Sequence, residues 1–491
     1  MPNPASKPNH DLVKLLDSLK QIVGSDHVLI ESASNDLVQY VRDWRGRERG
    51  VALAVVRPNS TEQVAAVVKA CAATAGVSIV PQGGNTGMVV GSVPDTSGTQ
   101  VVLSLQRMNQ VRHIDAGNST ITVDAGCVLE SVQQACFDKG YLFPLSLGSQ
   151  GSCTIGGNLA TNAGGTQVVR FGNARELCLG LEVVTAQGEV WSGLSGLRKD
   201  NTGYDLRDLF IGAEGTLGII TAATMKIAPL PAAKLTAFVA VSSVKSAVKL
   251  LGLAHKHLSA GLTGFEMMGK FALSLVNKHF PQQRVPFLDM ADAHYCVVLE
   301  HSDHESEAHA KAQLEKFLEV AMGNEEGGGC ILDAVLAENL TQAKQLWHIR
   351  ECIPLAQAQE GLNIKHDISI PISSIPEFVR VTDEKLAVAF PGIRLVNYGH
   401  LGDGNLHYNV QAPEGADQTA FLNNDEAGVN AIVFSMVDQF AGSISAEHGV
   451  GSLKVDKLPE HKSPVAIELM RTIKRALDPH NIMNPGRVVR V

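Results

Sequence analysis

The sequence predicts an α+β protein organised as two or three domains. Three features carry that expectation. A chain of 491 residues is long enough for more than one buried core. Up to Pro229 and Pro231, short apolar strands alternate with helices and glycine-rich loops. Beyond those prolines, helices alternate with strands such as AHYCVVLEH, the texture of a sheet covered on one face. The divisions fall at 1–46, an N-terminal helical segment; 47–231; 232–424; and 425–491, mainly helical but with a strand-turn in GSISAEHGVG.

Leu12, Val13, Leu15, Leu16, Leu19, Ile22 and Val23 recur at helical spacing and end at Gly24, which predicts a short docking helix. VALAVV is a buried strand closed by Pro58. Ser60 caps the next helix, with Gln63 as its capping-box partner, and Gly76 closes it. VSIVP is a strand that runs straight into a glycine loop. VVLSL and STITVDAG are strands, followed by a helix ending near Gly140. LCLGLEVVTAQGEVW gives two strands joined at Gln187–Gly188. Helices are expected near Val244–Leu258 and Glu305–Met322.

With 41 basic and 50 acidic residues the net charge is −9, and no Lys/Arg cluster offsets it. Nucleic acid and anionic membrane are therefore poor main partners. The eight cysteines form no CxxC pair, which argues for free thiols in a reducing compartment rather than a zinc knuckle or iron–sulfur cluster. MPNPASKPNHD lacks the pattern of a secretory leader, so a cytoplasmic location is expected, with peripheral membrane contact left open. The stretch from Tyr141 to Val169 carries no charge, yet its Gly, Ser, Thr and Asn content is wrong for a membrane span.

PQGGNTG directly follows a strand, where backbone amides can converge on an anion. One Gly-Gly pair is usually an ordinary turn. Here PLSLGSQGSCTIGGNLATNAGG and GAEGTLGII repeat the theme in the same half of the chain. Together they describe a neutral, backbone-lined channel for a long dianionic cofactor. No GxGxxG and no Walker P-loop occurs, which disfavours a nicotinamide site.

Residues 47–231 resemble the two-subdomain FAD-binding fold of vanillyl-alcohol oxidase and para-cresol methylhydroxylase (PCMH) relatives. That resemblance implies that Pro81, Gly83, Gly84, Asn85, Thr86 and Gly87 hold the pyrophosphate. It implies that Pro144, Leu147, Gly148, Ser152, Thr154, Gly156, Gly157 and Asn158 line the ribityl chain and flavin. Asn162, Ala163 and Gly164 continue that wall, and Glu214 with Gly218, Ile219 and Ile220 matches the closing motif. The first loop has no histidine to tether a flavin, so FAD is expected to be non-covalent.

NYGHLGDGNLHYNV predicts a hairpin with Asp403-Gly404 at its tip and His400 and His407 as cross-strand neighbours. Such neighbours have Cβ atoms roughly 5 Å apart, close enough to share a metal. Asn409 points to the face of His407. SAEHGVG adds Glu447 and His448, and two histidines with a carboxylate suit a metal with open positions. A lone strand histidine is usually a hydrogen-bonded structural residue, so spacing alone leaves both readings open.

The same two segments resemble the C-terminal signatures of FAD-using D-2-hydroxyglutarate and D-lactate dehydrogenases. The resemblance implies His400, His407 and Glu447 as ligands of a divalent metal, zinc first, and His448 as general base. It implies Arg350, Lys365 and Asn409 as substrate-binding residues. One departure stands out: those enzymes carry a hydroxyl residue four positions after the arginine, where this chain has Pro354. The expected reaction is oxidation of a D-2-hydroxy acid, D-2-hydroxyglutarate or D-malate, with hydride passing to flavin N5. A respiratory D-lactate dehydrogenase is the alternative within the class; a metallohydrolase and a non-catalytic flavoprotein subunit are the rivals outside it. Expected partners are a small anionic 2-hydroxy acid and an acceptor such as a quinone or an electron-transferring flavoprotein. A homodimer is left open, and a eukaryotic source would imply the mitochondrial matrix.

Overall fold

The computed structural model of the chain describes residues 10–32, 36–46, 48–323 and 329–491. Residues 1–9, on which the absence of a leader was judged, lie outside them, as does residue 47 at the first division.

Helix α1 (His10–Val23) forms at the expected spacing, buries Leu15, Leu19 and Val23, and stops at Gly24 with φ 90°. The first sheet holds β1 (Val28–Leu29), β2 (Ala52–Val56), β3 (Ser78–Gln82) and β4 (Gln100–Ser104), in the order β1-β2-β4-β3. Helix α2 (Thr61–Ala72) connects β2 to β3, which both run parallel to β4. Ser60 caps α2 as expected, but the Gln63 side chain bonds the amide of Asn59, one residue before the cap.

The second sheet is antiparallel and contains β5 (Val111–Asp115) and β6 (Thr120–Asp124). Helix α3 (Leu129–Phe137), β7 (Tyr141–Leu142) and the short α4 (Ile155–Ala160) follow. Then come β8 (Cys178–Thr185), β9 (Val190–Gly193), β10 (Gly218–Lys226) and β11 (Ala228–Pro229). The order is β5-β6-β10-β8-β9, with β7 and β11 a separate ribbon. Strand β5 escaped the sequence reading because VRHID is a mostly exposed edge with no apolar rhythm. Val68, Ile79 and Leu103 share one core with Ile121, Val183 and Met225, so the two sheets pack as one body. All eight cysteines are buried free thiols. The uncharged stretch is not a span, and among the described residues no helix is long and apolar enough to cross a membrane.

Strand β12 (Ala233–Val241) opens the third sheet, followed by α5 (Val244–Leu258), β13 (Leu262–Gly269), α6 (Lys270–His279) and β14 (Tyr295–Asp303). Next are α7 (Glu307–Met322), β15 (Asp333–Leu336), α8 (Leu340–Glu360), β16 (Asn363–Ile364), β17 (Asp367–Ser369) and α9 (Ile375–Ala389). Strands β18 (Arg394–Gly399) and β19 (Asn405–Gln411) form the hairpin, and helices α10 (Gln418–Gln439) and α11 (Pro464–Leu477) follow. The sheet runs β15-β12-β14-β13-β18-β19-β16, with β17 also on β19.

Helices cover both faces of this sheet, not one. Val239, Val297 and Phe265 pack on one side with Leu250, Leu314, Phe378 and Val433. Phe238, Val298 and Met268 pack on the other with Leu273, Val276 and Ile349. The reason is local: β12 is apolar at consecutive positions, Ala237 to Val241, so each face needs cover. GSISAEHGVG also departs from expectation. It makes one bridge, Ser369 to Ser443, and is otherwise turn, because Gly449 and Gly451 take positive φ. After α11 the chain returns to the first sheet, where Ile79 N bonds Ile482 O at 2.7 Å and Asn484 N bonds Ile79 O at 2.8 Å.

Candidate active site

The loop after β3, the start of α4 and the turn before β10 enclose a cleft with ≈ 950 Å³ of empty space. Pro81, Gly83, Gly84, Asn85, Thr86, Gly87, Thr154, Gly156, Gly157, Asn158, Glu214, Gly218, Ile219 and Ile220 line it, together with His448. The close approach of two loops requires glycine at position 84: a Cβ there would lie 2.0 Å from Ser152 O. Among the described residues no lysine or arginine lines the cleft, so backbone amides are its main donors. One buried donor, Asn158 Nδ2, has no partner within the protein, as a wall built to meet a carbonyl- and hydroxyl-bearing cofactor would have. These residues fit FAD.

Ser152 supports this wall from behind, and Pro144 is buried while Gly148 is exposed. Leu147 packs against Gly165, Asn162 Oδ1 accepts from Arg175 N, and Ala163 N donates to Asn158 O. Gly164 lies against Glu447. Glu214 does more than line the cleft. Its carboxylate accepts from Val450 N at 2.7 Å and Gly451 N at 2.8 Å, tying the cleft to the segment after His448.

The hairpin places its histidines differently from a directly opposed pair. Tyr398, not His400, is the cross-strand partner of His407. His400 sits just past the end of β18, and the two rings still approach to 5.6 Å between centroids. Glu447 completes the group: ligand atoms of His400, His407 and Glu447 all lie within 4.8 Å of one another. Gly165 N donates to Glu447 Oε1 at 2.7 Å, so the long uncharged segment aims this carboxylate. The His448 ring stacks near His407, 6.3 Å between centroids.

Buried carboxylates set the electrostatics. Burial would lower His400, but Glu266, with Glu447 beyond it, outweighs burial and pushes it up to about 9. The same negative field favours a cation in place of that proton. Burial, helped by Arg350 and His400, holds His407 well below its ordinary range, leaving a neutral imidazole able to ligate. Burial would raise Asp367, but His448 beside it and the donated amides of Glu447 and His448 outweigh burial and hold its carboxyl below the usual range. Two nitrogens and one oxygen, one histidine oriented by a buried acid, fit a divalent metal such as zinc.

Arg350, on α8, donates from Nε to Glu266 Oε2 at 2.9 Å and lies 4.7 Å over the Tyr398 ring. Pro354, inside the same helix, has no N–H for the Arg350 carbonyl one turn back. Asn409 is engaged at both ends, donating to Gln357 Oε1 at 2.9 Å and accepting from His366 N at 3.1 Å. Lys365 is exposed between β16 and β17. Sequence reasoning missed Glu266, Tyr398 and Asp367. Asp367 Oδ2 accepts from Glu447 N at 3.0 Å and His448 N at 2.9 Å, and lies 3.4 Å from His448 Nδ1. A lone acid inside an apolar strand, LTGFEMMG, was the available signal for Glu266.

A glycine-walled dinucleotide cleft opening on clustered imidazoles and carboxylates defines a flavin-linked oxidoreductase. The chain belongs to the FAD-linked oxidase family: residues 230–488 match its C-terminal domain and residues 52–193 match an FAD binding domain. It is thus an FAD-dependent dehydrogenase of that family. Among its relatives is the D-2-hydroxyglutarate dehydrogenase of Xanthomonas citri pv. viticola, 38% identical over 471 residues, 96% of each chain. The probable mitochondrial D-2-hydroxyglutarate dehydrogenase of Oryza sativa subsp. indica is 40% identical over 451 residues, 91% of this chain and 77% of that protein. The p-cresol methylhydroxylase structure superposes with a TM-score of 0.74 at 18% identity, covering 99% of this chain and 98% of that one. At that identity the likeness is one of fold, and the fold is PCMH-type.

Proposed function

We propose that this chain oxidises a D-2-hydroxy acid, D-2-hydroxyglutarate first, to the corresponding 2-oxo acid. One observation carries the reading: a single loop delivers Glu447 to His400 and His407 and, at the next residue, His448 to the wall of the FAD cleft. Residues 47–231 serve the cofactor, while 232–424 and 425–491 serve acid, metal and base. FAD, bound without a covalent tether by the glycine loops, supplies the hydride acceptor at N5. A divalent metal on His400, His407 and Glu447, zinc first, supplies Lewis acidity that makes the α-hydroxyl more acidic.

His448 takes the hydroxyl proton, with Asp367 beside its Nδ1. Arg350 grips a carboxylate with its Nη edge while Glu266 holds Nε, and Lys365 and Asn409 complete the acid's surroundings. Pro354 supports a second reading, the shorter diacid D-malate, since it offers no donor one turn beyond Arg350; D-lactate is the monoacid alternative. The electrons leave to a quinone or an electron-transferring flavoprotein in a reducing compartment, cytoplasm or mitochondrial matrix, which eight free thiols suit. The test is His448→Ala with FAD retained. Unchanged flavin bleaching by D-2-hydroxyglutarate would remove His448 from the base role.

A further inference from the structure

Glu266 is a fully buried acid in a strand otherwise made of apolar and small residues. An unpaired carboxylate there would be strongly unfavourable, so its two partners define its purpose. Oε1 lies 2.5 Å from His400 Nδ1, and Oε2 accepts from Arg350 Nε at 2.9 Å. His400 is thereby turned so that Nε2 faces Glu447 Oε1, 3.6 Å away. The Arg350 guanidinium lies over Tyr398, whose ring packs 4.8 Å from that of His407. One acid and one aromatic ring thus bind both histidines and the arginine into a unit.

We propose that Glu266 is a positioning residue that makes the metal site and the acid-gripping arginine interdependent, aiming His400 with one oxygen and Arg350 with the other. The proposal rests on the roles given above to His400 and Arg350. A buried ion pair kept only for stability is the weaker account, because such a pair is often replaceable by apolar packing at little cost. A stability pair also has no need to reach a histidine through its second oxygen. A carboxylate on the far nitrogen of a ligand histidine is the arrangement that fixes its tautomer and direction.

The experiment uses the full FAD-loaded chain, stripped of metal, and Glu266→Gln, with FAD content and thermal midpoint as checks of folding. Zinc affinity is measured by competition with a chromophoric chelator, without acid present. Affinity for 2-oxoglutarate is measured separately on zinc-free protein from the change in flavin absorbance. The expected result is a loss in both: about 10- to 100-fold for zinc and about tenfold for the acid. Loss of zinc affinity alone would reduce Glu266 to a partner of His400 and overturn the coupling, as would loss of acid affinity alone or of neither. If Glu266→Gln does not fold, Glu266→Asp, which keeps the charge and shortens the reach, is read by the same two measurements. A wild-type chain that takes up no zinc would instead overturn the metal assignment and the proposal together. Normal wild-type uptake with an unchanged variant would overturn only the proposal.

Discussion

The cofactor cleft and the histidine cluster meet at His448 but are built by opposite means. The cleft is made mainly of backbone: glycines, amides and one unpartnered asparagine, with no lysine or arginine among its described lining residues. The cluster is made of side chains: His400 and His448 are held by buried carboxylates, Glu447 by a backbone amide from a distant segment, and His407 packs against the Tyr398 ring. Backbone walls hold a ligand by shape, whereas the cluster tunes proton and cation affinity by field. Changes in the cleft should therefore alter cofactor retention, and changes in the cluster should alter chemistry with the cofactor still bound.

The largest expected effect tests that division directly. His448→Ala should slow flavin reduction by D-2-hydroxyglutarate about 10³-fold, about 4 kcal/mol, while the visible flavin spectrum stays intact. Loss of the spectrum would show that the two regions are not separable. Next, EDTA should lower turnover about 10²-fold, about 2.7 kcal/mol, and zinc should restore it, with FAD bound throughout. Indifference to both would make the trio structural. From the other side, Gly84→Ala would set a Cβ 2.0 Å from Ser152 O. It should destabilise the fold by roughly 2–3 kcal/mol and release FAD, followed by flavin fluorescence on dilution. Full FAD retention would mean the loops can part without consequence.

The smallest effect is a control at the C-terminal end of α8, outside both the cleft lining and the metal-ligand trio. Burial would raise Glu360, but Lys278, His279 and Arg394 outweigh it and hold it at about 2 instead of 4.5. A depressed folded value stabilises above the unfolded one, so the contribution is whole above about pH 4.5 and is lost as pH falls toward 2. Discounted for the exposed Lys278, it amounts to roughly 2 kcal/mol. Glu360→Gln should lower denaturant stability at pH 7 by that amount and flatten its acid limb, with flavin reduction unchanged.

What the sequence disclosed follows the same contrast. The glycine loops were legible because backbone walls are local: a strand, then PQGGNTG, announces itself within ten residues or so. The hairpin was legible too, though its exact pairing was not, since Gly399 at φ 157° lets the chain leave β18 before His400 is opposed. Glu266 was invisible as a support because it lies 134 residues from His400 in sequence, and Asp367 lies 81 from His448. Such partners are chosen by sheet order, which no short window contains. The second helical layer was missed for a similar reason, as consecutive apolar residues in β12 declare two buried faces only when read as strand rather than helix.

Asn484 donates to Gly91 O at 2.8 Å, joining residues 393 positions apart, and its neighbours lie along the edge of β3. The nucleotide cradle is therefore closed on one side only when a segment 393 residues downstream of Gly91 has folded against it. Without residues 482–484 the edge of β3 would be left unpaired, so the firmness of cofactor binding is set by docking of this distant segment as well as by the glycine loops themselves.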